Sequence, residues 1–458
     1  MTTIKNNGRK WTIMLALFPA FAMAQSTLTG HSDTAKIAKH EFSVQQAIDY
    51  ARKNNLQVKN ALLNVQIQEQ TNRDLTSAAL PQISASGSYT YNAKLPVSLV
   101  PAEFFGGQPG TFKEIAFGLK HNATGGLQLN QLLFDGQVFV ALQARESVLK
   151  FQQKNVEVTE EMIKANIYKI YYQLVVSKQQ IELLDANIDR FQKLLKDTRI
   201  IYENGFAEKL DVDKVNVALT NLQTEKIKAL NQIGNGYLGL KLLMGMPVRE
   251  ELVLTDRLSY DQIKDDLLDT GGFDYPVRKD YQYAELGIKL NEFNIRRYKL
   301  SRYPTLNLNS YYNKNAQRTS FDLFDKGNWF NILAVTLNLN VPIFTGFSTK
   351  AKIQKAKLEL EQSVNQRDYL KISIDNDIQV AKNNFRSAIS TLDFQKKNME
   401  LGESVFQQTK KKYEAGTGSQ TEINTSQTDL KTAQTNYITA LYDAIIAKVD
   451  FLKAIGRL

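Results

Sequence analysis

The sequence predicts an α+β membrane protein made of one unit repeated twice, in which long heptad helices follow pairs of short amphipathic strands. Three observations predict it. The stretch YENGFAEKLDV at 202–212 returns as YEAGTGSQTEI at 413–423, each a Tyr-Glu-x-Gly followed six residues after the Gly by an acid, Asp211 or Glu422. Residues 137–204 contain neither Gly nor Pro, and 347–415 contain only Gly402. At about 1.5 Å per residue, such runs make helices of about 100 Å. Finally, the stretches after Pro81 and Pro304 lose the spacing near 3.6, each is followed by a partner segment, and 305–313 and 331–344 alternate strictly.

The elements follow in order. Residues 1–24 read as a secretory signal peptide: Lys5, Arg9 and Lys10 precede the short apolar run WTIMLALFPAFAMA, which ends in small residues before Gln25. Residues 25–40 read as a disordered extension. The first repeat, 41–245, opens with a helix at 41–80 halted by Pro81, passes through strands at 82–92 and 125–134, and enters the long helix 137–204. Ile163, Ile167, Ile170, Leu174, Ile181, Leu184, Ile188, Phe191 and Leu195 keep a 4-3 spacing there, missing only at Ser177, which implies knobs-into-holes packing. Gly205 caps it, because Gly takes a left-handed conformation without penalty, and a second helix at 210–244 completes a hairpin. A connector, 246–276, leads to the second repeat, 277–458. This has a helix at 278–303 halted by Pro304, strands at 305–313 and 331–344, a long helix at 347–415, a cap at Gly416 and a last helix at 421–455. Phe134-x-Gly136 matches Phe344-x-Gly346, and Gly245 matches Gly456.

The strand 331–344 puts Leu333, Val335, Leu337 and Leu339 on one face and Thr336, Asn338 and Asn340 on the other. A transmembrane barrel needs ten-residue strands with an apolar lipid face and a polar lumen face. A soluble sheet with one solvated face shows the same alternation, but nothing else in the chain could cover four such apolar faces. Four strands cannot close a barrel alone, so protomers must combine.

With 43% hydrophobic and 23% charged residues the chain has the composition of a folded protein. The signal peptide carries three of the positive charges behind the net +10. The remaining Lys and Arg are interleaved with acids along helices, which speaks against nucleic acid as a partner. There is no cysteine, so disulfides and thiol chemistry are excluded. His31, His40 and His121 stand in no motif, two of them in the extension, and no metal site, cofactor site or nucleophile-base arrangement is legible. Paired acids such as Asp211 and Asp213 read as a solvated helix face rather than as an enzyme site.

The opening EFSVQQAIDYARKNNLQVKNA, the strand entry LPQISASGSY, the strand exit VPIFTGF, the two turns in order and the closing LKAIGRL together resemble the TolC family of outer-membrane efflux proteins. The resemblance spans essentially the whole mature chain. It implies a homotrimer with a twelve-stranded barrel among outer-membrane lipids, four strands per protomer, continued by a hollow α-helical barrel in the periplasm. It implies a passive exit duct of a tripartite efflux or secretion system, fed by an inner-membrane transporter of RND type through a periplasmic adaptor, and not an enzyme. By the same resemblance the hairpin turns at Tyr202, Gly205 and Gly416 are the adaptor-docking surface. The periplasmic gate comprises Tyr413 bonded to Asp211, the constriction carboxylate Glu422, and Thr425, where the family often has a second acid. Gly418 stands where the family often has a base, so this gate should hold fewer links. An exported coiled-coil structural protein or adhesin would explain the heptads but not the strands or the duplication.

Overall fold

A computed structural model describes residues 39–257, 263, 273–322 and 327–458. The signal peptide and the extension as far as residue 38 lie outside the described residues, as do 258–262 and 264–272 of the connector. The elements are β1 (Lys39–Phe42), α1 (Val44–Asn54), α2 (Leu56–Ser77), β2 (Gln82–Tyr91), β3 (Val97–Pro101), β4 (Phe112–Ala116), β5 (His121–Phe134), α3 (Gly136–Glu203), α4 (Lys209–Met244), β6 (Glu251–Leu254), α5 (Lys279–Leu300), β7 (Thr305–Arg318), β8 (Phe330–Asn340), α6 (Ser348–Glu414) and α7 (Gln420–Ala454).

Four expectations are corrected. The helix expected at 41–80 is a strand and two helices. Ser43 starts α1 with a capping box, and Asn55 breaks the run: its Oδ1 accepts from the Gln57 and Val58 amides while its Nδ2 donates to the Leu243 carbonyl at 2.6 Å. The end of the supposedly disordered extension is ordered, since Lys39 and His40 belong to β1, which pairs in parallel with β6 of the connector. His40 also meets Glu250 at 3.0 Å. The strand expected to end at 313 runs to Arg318 as β7, and residues 93–120, between β2 and β5, contain the β3-β4 hairpin. Lastly, β8 stops at Asn340, two residues before Pro342, which has no N–H to offer a ladder.

The long helices form as expected, with 68 residues in α3 and 67 in α6. Their heptad stripes are buried: Ile167 and Leu174 against α1 and α4, Phe385 and Leu392 against α7, and Leu184, Ile188 and Phe191 against Val215, Leu219 and Leu430 near the turns. The short helices stack end to end in both halves. The end of α4 meets the α1-α2 junction at Asn55, and the end of α7 meets the start of α5, where Arg278 Nη1 donates to the Ala454 carbonyl at 3.2 Å. Side by side, the helices above these joints run in the order α2, α3, α5, α6, and those below run α4, α3, α7, α6. The antiparallel sheet has the matching order β2, β5, β7, β8. Each level thus has four elements and two free edges.

Candidate functional site

Two regions carry function, the four-stranded sheet and the two hairpin turns. In the sheet the register fixes which side chains share a face, because directly opposed residues point the same way. Leu337 of β8 faces Leu308 of β7, Leu339 faces Leu306, Val335 faces Ser310 and Leu333 faces Tyr312. The same face continues through Leu127 and Leu129 of β5 to Ala85 and Ile83 of β2. On the opposite face Thr336 lies across from Asn309, Asn338 from Asn307 and Asn340 from Thr305. A single extra residue, Leu133, bulges between Leu132 and Phe134, so β5 restores Phe134 to the apolar face opposite Leu306. Leu333, Val335, Leu337 and Leu339 are 63–70% exposed in the single chain, an apolar surface left without cover.

Both turns end their long helix in the same way. Gly205 has φ of 80° and Gly416 of 74°; each donates to the carbonyl of its Tyr, Tyr202 at 2.9 Å and Tyr413 at 3.0 Å. The next amides, of Phe206 and Thr417, reach back to Ile201 and Lys412 at 3.0 Å. These paired bonds are a Schellman cap, and they explain why Tyr and Gly recur three apart. The matched pair Gly136 and Gly346 is different. Gly346 takes φ of 57°, whereas Gly136 begins α3 against Leu300, whose Cβ would lie 2.8 Å from an added Cβ.

Beyond the caps the copies diverge. Tyr202 is exposed, beside the 85%-exposed Phe206, while Tyr413 is half-buried against the core formed by α3, α4, α6 and α7. The expected bond from Tyr413 to Asp211 is not formed. The Tyr413 phenol donates to Gln420 Oε1, in the first turn of α7, and the fully buried Thr198 Oγ1 of α3 meets the same oxygen at 3.5 Å. Asp211 faces Lys214 at 4.0 Å. Burial, and after it the nearby Asp197 and Asp211 charges, raise the Tyr413 pKa, against a lowering bond to Thr198. Glu422 is exposed and sits in a capping box: its Oε2 accepts from the Ser419 amide at 3.2 Å, and its own amide donates to Ser419 Oγ at 3.2 Å. Thr425 is exposed on the same helix. The sequence reading missed Thr198 and Gln420. The available signal was the repeat itself, which puts Lys209 in the first copy where Gln420 stands in the second, so only the second Tyr has an amide partner. No group of acids, His or Cys among the described residues could hold a metal ion.

The profile of the family described as outer membrane efflux protein matches residues 47–246 and 278–457, one stretch for each copy of the unit. Outer membrane protein TolC of Vibrio cholerae is 20% identical over 395 residues, covering 83% of each chain. A probable efflux pump outer membrane protein of Pseudomonas putida, TtgC, is 23% identical over 331 residues, 71% of this chain and 64% of that one. The solved channel CusC superposes with a TM-score of 0.75 at 16% identity, covering 90% of this chain and 92% of that chain. The chain belongs to the outer membrane efflux protein family, as an outer-membrane channel of a tripartite efflux or secretion system whose helical part stands in the periplasm.

Proposed function

We propose that three copies join head to tail into one tube, with the apolar sheet face in lipid and the polar face around the lumen. The observation that carries this reading is the agreement of free edges at every level. The sheet is open at β2 and β8, the upper helices at α2 and α6, and the lower helices at α4 and α6. One side of the chain is therefore always α6-β8 and the other always the first-copy elements. Unlike edges of this kind form a heterologous contact, which closes into a ring. Exposed apolar residues occur along both sides, Leu63 and Ile67 on α2, Ile227 on α4, Tyr369 and Ile372 on α6. An open strand edge in lipid would leave each unpaired backbone group at a cost of several kcal/mol, so pairing of β8 with a neighbour's β2 is required. Three copies of four strands give the twelve-stranded barrel.

The two copies of the unit, 41–245 and 277–458, take different parts at the periplasmic end. The exposed first turn, with Tyr202, Gly205 and Phe206, suits docking of a periplasmic adaptor that links the tube to an inner-membrane transporter of RND type. The second turn, with Gly416, suits closure: Tyr413 is held by Gln420 and Thr198, with Asp211 close enough to act on it electrostatically, while Glu422 and Thr425 face the constriction. Replacing Ala207 or Thr417 by Arg tests this reading. Export should be lost while the assembled protein remains in the outer membrane, and loss of assembly instead would reduce the turns to a structural role.

A further inference from the structure

The four barrel strands carry three ionisable basic side chains, His121, Lys314 and Arg318, and no acid. The register places all three on one face: His121 is directly opposite Arg318, and Lys314 lies opposite Gly125 and Asn331, one same-face row from Leu127, Tyr312 and Leu333. That is the apolar face. The polar face has no charged side chain along any of the four strands. Its rows are amide and hydroxyl groups for most of their length, such as Ser86, Gln128, Asn309 and Asn338, with Phe330, Ile332 and Leu132 at the ends. An alternating strand could hold charge in a water-filled lumen at little cost, whereas charge on a lipid face costs more toward the midplane. Here the three basic groups sit at the loop end of the sheet, where that cost is least.

We infer that the membrane-spanning section of this duct is blind to charge: anionic, cationic and zwitterionic solutes leave through it on equal terms, and any charge selectivity of the assembled channel is set by the helical part below. This rests on the reading that the polar face lines the lumen. Amides and hydroxyls offer donors and acceptors in every row, so they can hydrate either sign of charge without a fixed potential. A twelve-stranded barrel with strands about 4.8 Å apart and tilted near 40° has a backbone radius of about 12 Å, comparable with the Debye length of about 10 Å at 0.1 M salt. A ring of three like charges on that wall would therefore bias ions across most of the section, and the native wall has no such ring.

The test is voltage-dependent block of single channels in planar bilayers, with spermine or inorganic triphosphate added on the external side. With Glu422→Gln present in every channel tested, so that the constriction carboxylate cannot hold the polycation, the otherwise native channel should show no voltage-dependent block by either polyion. Asn309→Asp should make spermine reduce the current by about half or more at about 1 mM, and Asn309→Lys should do the same for triphosphate. Ser86→Asp on β2 repeats the test should a change at Asn309 prevent assembly. Voltage-dependent block of the Glu422→Gln channel with its native barrel by either polyion would overturn the inference. Variants that assemble and conduct but are blocked by neither polyion would instead show that the polar face does not line the lumen, and the inference would fall with the reading beneath it.

Discussion

Replacing Leu337 by Arg places a charge inside the apolar run of β8. From Leu333 to Leu339 the run covers about 20 Å along the strand and, at a tilt near 40°, about 15 Å of thickness, within an apolar band of about 25 Å. Leu337 lies inside that run, between Val335 and Leu339, and pairs with Leu308, so its side chain has apolar neighbours above, below and across the ladder. Arg at the midplane costs about 2 to 4 kcal/mol, which is roughly 30- to 900-fold in the insertion equilibrium for each protomer. Asn338 is one residue further on, opposite Asn307 on the other face, and Arg there should meet water. The assay is the fraction of total protein recovered from outer membranes as heat-modifiable oligomer. Leu337→Arg should nearly abolish that fraction and Asn338→Arg should retain it, with Leu333→Arg, closer to one end of the band, between the two. Equal loss from both substitutions, or greater loss from Asn338→Arg, would refute the assignment of the faces.

Three further outcomes follow from particular groups. Glu422→Gln should keep the Ser419 cap, because an amide serves at that position as well as a carboxylate, yet lower the preference for cations in bilayer reversal-potential measurements; an unchanged preference would remove Glu422 from the constriction. Asn55→Ala strips the α2 amides of their acceptor and the Leu243 carbonyl of its donor, so thermal unfolding should show a loss of about 1 to 3 kcal/mol. Burial pushes the Tyr171 and Tyr172 phenols up to about 12. A group whose folded pKa is raised contributes stability that is fully present below its ordinary value, about 10 for Tyr, and is lost as pH rises through the folded value. Melting temperature should therefore fall between about pH 10 and 12, and Tyr172→Phe should shrink that fall.

How much was legible in the sequence depended on how local the signal was. The long helices, their heptad seams and the caps at Gly205 and Gly416 depend on neighbours within a turn or two, and they form within a residue of the expected ends. The alternation of β8 likewise fixed its two faces. By contrast the β1-β6 sheet joins KHEF to ELVL across most of the first repeat, and neither four-residue strand has a pattern of its own. Asn55 looked like an ordinary polar residue in a helix. What makes it a breakpoint is the carbonyl of Leu243, which only the folded α4 brings to it. The Tyr413 contact failed for a related reason, since the side chain can choose between Asp211 and Gln420, and the tight second turn puts Gln420 within reach first.

The central claim, that unlike edges close three chains into one tube, is tested most directly by the native mass of protein solubilised from the outer membrane in mild detergent, read together with its circular dichroism. The account predicts a single species of three protomers with the high helicity of the long hairpins. A monodisperse monomer with the same helicity would contradict it, because β2, β8 and the apolar sides of α2 and α6 would then be satisfied without a neighbour.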